Sequence, residues 1–169
     1  APGMAFMEYD THTSWVPFEQ IPFAQIPKLK RAYDWGFVAD PMAVVWYGLD
    51  YDGNCWFFDE REVYRHIAKE QAYVIHQGDE ELIRHFSQVM KNPYEDQRRM
   101  LSGIFSGPDV KAQTDGIGKT KGEQLYAEGI DLTIVNPNVA GKFEQDESKV
   151  SALAAALKVD PERIHPITG

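Results

Sequence analysis

The sequence predicts an α/β layered domain with a mixed sheet, and three observations support that fold class. Two aromatic and β-branched segments, 43–47 and 55–58, flank Asp52-Gly53, and both of these residues tolerate the positive φ of a type I′ turn, so the sequence predicts a β-hairpin. After the hairpin, between residues 62 and 90, apolar residues recur near helical spacing. Strand-like and helix-like segments alternate through the rest of the chain, as they do in layered α/β domains.

The composition indicates a single globular domain. The 169 residues are enough to bury a core, and 43% hydrophobic with 12% aromatic residues exclude a disordered tail. The net charge of −9 argues against a general nucleic-acid binder, but a nuclease with clustered acids and a basic groove stays compatible with it. Cys55 is the only cysteine, so no internal disulfide forms, as is usual in the cytoplasm. No apolar run reaches the roughly 18 residues of a membrane span, and the start lacks signal-peptide features.

The first strand is expected after an irregular lead-in over residues 1–30, where prolines interrupt the aromatic residues. Lys28, Lys30 and Arg31 form the densest basic cluster, just before Asp34. This cluster has two interpretations. It is either a solvated entrance to the strand or a set of phosphate contacts beside a functional acid.

The segment after the hairpin predicts two consecutive helices. The first runs over 62–75, and Gly78-Asp79 interrupts the pattern, with Asp79 as the N-cap of a second helix over 80–90. Asn92-Pro93 ends that second helix. The remaining predicted elements are a strand over 99–105, a helix over 119–128 stopped by Gly129, a strand over 130–135 and a helix over 149–158.

Acidic residues follow the predicted strands at positions where α/β sheets form their sites. Asp34 lies on or beside a central strand, which is costly for a carboxylate unless a metal or hydrogen-bond donors meet it. Asp109 follows the third strand, and Glu60 ends the second strand of the hairpin. Mg²⁺ and Mn²⁺ prefer oxygen ligands, and a two-metal site needs several carboxylates around ions roughly 4 Å apart. Asp34 and Asp109 are therefore candidate metal ligands, with Glu60 as a third catalytic candidate.

Other catalytic patterns in the sequence are incomplete. Gly118-Lys119-Thr120 has the ending of a phosphate-binding loop, but that loop needs a glycine at position 113, which is Gln. We interpret this segment as a loop entering a helix. The five histidines show no metal-ligand spacing, and no serine lies in a nucleophile-elbow pattern.

Several short motifs resemble, in their order and spacing, the nuclease domain of bacteriophage terminase large subunits, the DNA-packaging motor proteins of tailed phages. The resemblance spans most of residues 5–169. The motifs are Asp34-Trp35-Gly36, Asp40-Pro41-Met42-Ala43-Val44-Val45-Trp46, Asp50-Tyr51-Asp52-Gly53, Asp59-Glu60, Ser106-Gly107-Pro108-Asp109-Val110, Lys121-Gly122-Glu123-Gln124, Ala127-Glu128-Gly129-Ile130 and Asn138-Val139-Ala140-Gly141-Lys142.

This resemblance implies a ribonuclease H-like mixed sheet flanked by helices, which cuts double-stranded DNA with two divalent ions, Mg²⁺ or Mn²⁺. Asp34 would be the metal ligand on the first strand. The family's second acid precedes a proline; Gly107 holds that position here, and Asp109 is the replacement. The third acid would lie in a helix beyond Gly169, so we expect residues 1–169 to be a single nuclease domain, truncated at its C-terminus.

The leading hypothesis is an endonuclease domain that trims concatemeric phage DNA, with phosphate contacts from Lys28, Lys30 and Lys142. The resemblance implies the portal protein and the small terminase subunit as partners, no membrane, and a location in the host cytoplasm, or the bacterial cytoplasm if the protein is prophage-encoded. The alternative is a catalytically silent docking module of the packaging motor, which Gly107 and the net charge favour. An actin-like ATPase would need a second glycine-rich phosphate strand, which the sequence lacks.

Overall fold

The protein has a mixed α/β architecture, as predicted. Its structure is a computed structural model that describes residues 15–91, 100–113, 116 and 118–135. Within these residues, one five-stranded sheet is flanked by two helices. The elements in chain order are β1 (Leu29–Asp34), β2 (Met42–Leu49), β3 (Cys55–Val63), α1 (Ala68–Met90), β4 (Leu101–Ser106), α2 (Lys121–Ala127) and β5 (Leu132–Ile134).

The described part of the predicted lead-in contains two short 3-10 turns. Residues 15–21 belong to a different compact unit from the sheet, and within them the chain makes one turn of 3-10 helix, Phe18–Gln20. In the unit that contains the sheet, a second 3-10 turn, Phe23–Gln25, precedes β1. None of the described helices is both long and apolar enough to cross a membrane.

The sheet combines an antiparallel half with a parallel half. Its strand order is β3-β2-β1-β4-β5, so β1 is the central strand. β1 pairs with β2 antiparallel, with Asp34 opposite Ala43, and with β4 parallel, with Tyr33 opposite Ser106. β5 continues the parallel half beside β4. The carboxyl ends of β1 and β4 therefore lie side by side at one edge of the sheet.

The β2–β3 hairpin forms at the predicted position, but not with a type I′ turn, because Asp52 does not have a positive φ. Gly53 has a φ of +85°, a conformation that favours glycine. The buried carboxylate of Asp50 accepts hydrogen bonds from the backbone nitrogens of Asp52 (3.0 Å) and Asn54 (2.8 Å) and from the indole of Trp56 (2.9 Å). Burial acts to raise the pKa of Asp50, but these bonds together outweigh it and lower that pKa, and they hold the turn closed. β3 continues to Val63, so the prediction that a helix begins at residue 62 is wrong.

Helix α1 packs on one face of the sheet. Its buried residues recur every three or four positions, and the alternating residues Met42, Val44 and Trp46 of β2 are buried on the sheet. A Cβ at Gly78 would overlap the indole ring of Trp46, so the absence of a side chain at that position lets the helix approach the sheet closely. Farther along, the ring of Phe86 packs edge-on against the ring of Phe58, with the centroids 5.4 Å apart.

The predicted break in this helix is wrong. Residues 68–90 form one continuous helix, and Asp79 is not an N-cap but a buried carboxylate in its middle. Asp79 accepts a 2.8 Å hydrogen bond from Trp46 Nε1 and forms an ion pair with Arg31. The contacts that Gly78 and Asp79 make with the sheet thus outweigh their poor helix propensity.

The second half of the domain follows the predictions. β4, α2 and β5 lie within one or two residues of their predicted positions. Helix α2 ends before Gly129, whose φ is +85°. The predicted end of α1 at Asn92-Pro93 and the predicted helix over 149–158 lie outside the described residues, although α1 does end at Met90, with Lys91 in the left-handed conformation.

Candidate functional site

Asp34 is the last residue of the central strand. The side chains of consecutive strand residues point to opposite faces, so Tyr33 is buried towards α1 while Asp34 is exposed on the other face. Partial burial raises the pKa of the Asp34 carboxyl, and the negative charges of Asp109 and Asp40 raise it further. Asp34 is therefore held near two other acids, which is unfavourable without a nearby cation.

Asp109 reaches this site from the neighbouring strand. β4 ends at Ser106, and Gly107 leads into a 3-10 turn, Pro108–Lys111, whose first turn carries Asp109. A Cβ at Gly107 would lie 3.1 Å from Asp109 Oδ1. The carboxylate of Asp109 thus lies beside the position that a side chain at residue 107 would occupy, even though the two residues leave the strand at different points.

Lys121 brings a positive charge to this site, which no local sequence pattern predicts. Its Nζ lies 3.9 Å from Asp109 Oδ2 and 5.4 Å from the ring centroid of Trp35, and its charge lowers the pKa of Asp34. Lys121 begins α2, where Thr120 and Glu123 form a capping box with bonds of 3.1 and 2.7 Å. The Thr-x-x-Glu spacing predicts where α2 begins, but not that its first residue meets two aspartates.

The loop that follows Asp34 is held by hydrogen bonds from Gln71, whose side chain is fully buried. Its Oε1 accepts a 2.5 Å hydrogen bond from Tyr33 Oη, and its Nε2 donates to the carbonyl oxygens of Gly36 (3.0 Å) and His66 (2.6 Å). A Cβ at Gly36 would overlap the backbone of Pro41, so the loop closes tightly on itself. Gln71 therefore fixes Tyr33, which precedes Asp34, and Gly36, which follows it in the loop.

The other predicted site residues lie apart from Asp34. Glu60 is exposed on β3, opposite Val45, with β2 between it and the central strand. Lys28 and Lys30 lie at the opposite end of β1, about 20 and 13 Å from Asp34 at the rise of about 3.3 Å per strand residue. Lys30 instead lies over the ring of Phe105, 5.7 Å from its centroid. Lys142 lies outside the described residues.

Asp34 and Asp109 are the described carboxylates of this site that could hold a divalent cation. They come from separate segments, and a bound cation would relieve the repulsion between their charges. In the part of the chain that the structure describes, no group of three or more His, Cys, Asp or Glu residues could hold a metal. Water or a substrate phosphate would supply the remaining ligands.

Comparisons with known proteins add no relative. No protein-family model, curated protein or solved structure matches the chain.

Proposed function

We propose that this domain is a metal-dependent endonuclease that cuts double-stranded DNA, of the kind found in phage terminase large subunits. The observation that carries the proposal is the proximity of Asp34 and Asp109 at the carboxyl ends of two adjacent parallel strands, where burial and then the charge of Asp109 raise the pKa of Asp34. Acids with a shifted pKa at such an edge are typical of functional sites in α/β sheets.

The sheet topology supports a ribonuclease H-like arrangement. An antiparallel β1–β2–β3 meander, followed by a helix and by β4 and β5 parallel to β1, forms a mixed sheet flanked by helices of the kind that the resemblance implies. The position of Asp109 supports its role as the second acid, because its carboxylate lies beside the position where an acid at residue 107 would project.

Asp34 and Asp109 would hold a Mg²⁺ or Mn²⁺ ion. The described carboxylates account for one of the two ions that the resemblance implies. When bound, the metal supplies a Lewis acid for the scissile phosphate and lowers the pKa of a bound water. The protein contributes orientation: Gln71 holds the loop after Asp34, and the capping box of α2 fixes the start of the helix that carries Lys121 beside Asp109.

The proposed substrate is concatemeric double-stranded DNA, approached through the phosphate backbone. Lys111, on the same 3-10 turn as Asp109, and Lys121 provide cations at this edge of the sheet. In an intact packaging motor, the partners would be the portal protein and the small terminase subunit, in the host cytoplasm or in a bacterium that carries the prophage.

A silent docking module of the same motor is the second candidate. It is favoured by the absence of a three-ligand metal group within the described residues, and by apolar side chains exposed at the β2–β3 hairpin. Leu49, Tyr51 and Phe57 are 41%, 75% and 65% exposed there. An exposed apolar group of this kind is typical of protein contacts.

Nicking of supercoiled plasmid in Mn²⁺ tests the nuclease proposal. We expect the protein to nick the plasmid and the Asp34→Asn variant to lose that activity, while Asp52→Asn, the same change at the hairpin tip, keeps it. Equal nicking by the wild type and Asp34→Asn would overturn the assignment. Absence of both nicking and saturable Mn²⁺ binding would favour the docking module.

A further inference from the structure

The ammonium group of Lys121 already occupies the neighbourhood of the two aspartates. Its Nζ lies 3.9 Å from Asp109 Oδ2, and its positive charge acts on Asp34 as well. We propose that Lys121 is the resident counter-cation of the Asp34–Asp109 pair, that a divalent metal displaces it, and that the released amine then binds a phosphate of the DNA. This inference rests on the proposed nuclease function.

The local structure of α2 does not favour a cation at this position. Lys121 is the first residue of the helix, where the backbone dipole presents partial positive charge and anions are preferred. The lysine nevertheless folds towards Asp109 and over the ring of Trp35, with only 22% of its side chain exposed. The attraction of the aspartates and the face of the indole therefore outweigh the helix dipole.

The contact is that of an exchangeable ion. A separation of 3.9 Å is longer than the 2.7–3.2 Å of a hydrogen bond, so the amine balances the charge without being locked to one oxygen. Asp109 keeps 45% of its side chain exposed, which leaves its carboxylate open to an incoming metal. A metal and the ammonium group would compete for the same negative charge.

A displaced Lys121 amine can bind a phosphate of the DNA instead. Lysine carries a compact charge on a flexible four-carbon stem, and it binds phosphate as a point charge. If Asp34 and Asp109 held a metal, a phosphate that bound there would come near the amine of Lys121, which lies 3.9 Å from Asp109 Oδ2 in the metal-free protein. Lys121 would then contribute to catalysis as well as to the metal-free state.

Calorimetric titration with Mn²⁺ tests the competition directly on the 169-residue protein. Removing the charge in Lys121→Met should tighten Mn²⁺ binding by about tenfold, because a like charge about 4 Å from the ligand oxygens is removed. Lys119→Met is the matched control: the charge of Lys119 acts on Glu123, so its loss should change Mn²⁺ affinity less than about twofold. Lys121→Arg keeps the charge and should bind Mn²⁺ like the wild type.

A second measurement is DNA nicking at saturating Mn²⁺, where Lys121→Met should be slower than the wild type by at least about tenfold. Tighter metal binding together with slower nicking is not expected from a structural role, and thermal unfolding checks that the variant is folded. If it is not, Lys121→Gln replaces it.

Unchanged or weaker Mn²⁺ binding by the folded, uncharged variant overturns the inference but leaves the nuclease proposal standing. Tighter binding with unchanged nicking overturns the phosphate role. Absence of saturable Mn²⁺ binding by both the wild type and the uncharged variant overturns the metal site itself, and the inference with it.

Discussion

Trp46 Nε1 donates a 2.8 Å hydrogen bond to Asp79 Oδ1, which ties the middle of α1 to β2. Asp79 also pairs with Arg31 of the central strand, and only 12% and 11% of the Arg31 and Asp79 side chains are exposed. Burial raises the pKa of Asp79, while Arg31 and Trp46 counteract that rise. A buried, shared carboxylate of this kind connects three elements of the core.

Loss of Asp79 should destabilise the domain strongly. Asp79→Ala leaves the charge of Arg31 buried and the indole N–H without an acceptor, and we expect the free energy of unfolding to fall by about 3–5 kcal/mol. Urea denaturation measures this change. The double variant Arg31→Met/Asp79→Leu should recover most of the loss, because no buried charge then lacks its partner; a double variant as unstable as Asp79→Ala would contradict this account.

The same contact shows where sequence patterns stopped being sufficient. The hairpin was predictable because Asp52-Gly53 is a turn signal formed by two adjacent residues. Helix α2 was predictable because its capping box and Gly129 are likewise local features. Asp79 and Trp46 are 33 residues apart, so the sequence showed only a poor helix former after a glycine. The predicted helix break failed for that reason.

The site was predictable in part for a similar reason. The ends of strands are readable from apolar runs, and this singled out Asp34 and Asp109. Parallel pairing of β1 with β4 then brings them together, which no local pattern encodes. The position of Lys121 beside Asp109 was not predictable, because it depends on where α2 begins relative to β4. Lys28 and Lys30, close to Asp34 in sequence, lie at the far end of the strand.

Gly78→Ala provides a direct test of the continuous helix. Alanine is the better helix former by about 1 kcal/mol, so a break or a free surface would make the change neutral or stabilising. Since the added Cβ overlaps the Trp46 ring, we expect a loss of about 1–3 kcal/mol in urea denaturation. Gly122→Ala in α2 is the control, because its Cβ would lie at an ordinary 3.4 Å from the Val110 carbonyl oxygen.

Gln71→Leu should weaken both the fold and the metal site. The leucine leaves the Tyr33 hydroxyl and the carbonyl groups of Gly36 and His66 without their partner, which should cost at least about 2 kcal/mol. The loop after Asp34 would loosen, so Mn²⁺ affinity measured by calorimetry should fall as well. Gln77→Leu, at an exposed position of the same helix, should leave Mn²⁺ affinity unchanged; equal affinities for both variants would contradict the positioning role.

The raised pKa of Asp34 predicts that its ionised carboxylate, which metal binding requires, lowers the stability of the fold at neutral pH. Because that pKa is raised above its ordinary value of 3.8, the folded protein binds the proton more readily than the unfolded chain does. The resulting stabilisation is complete below pH 3.8 and is lost as the pH rises through the raised pKa. At pH 7 the ionised carboxylate therefore disfavours the folded state, and Asp34→Asn should have the higher free energy of unfolding.

Thermal or urea unfolding between pH 7 and pH 4 measures this difference, which should shrink as the pH falls and Asp34 takes up its proton. Saturating Mn²⁺ at pH 7 should raise the unfolding temperature of the wild type and leave that of Asp34→Asn almost unchanged, because the metal then supplies the missing positive charge. A variant less stable than the wild type at pH 7 would show that Asp34 serves the fold through contacts other than its charge.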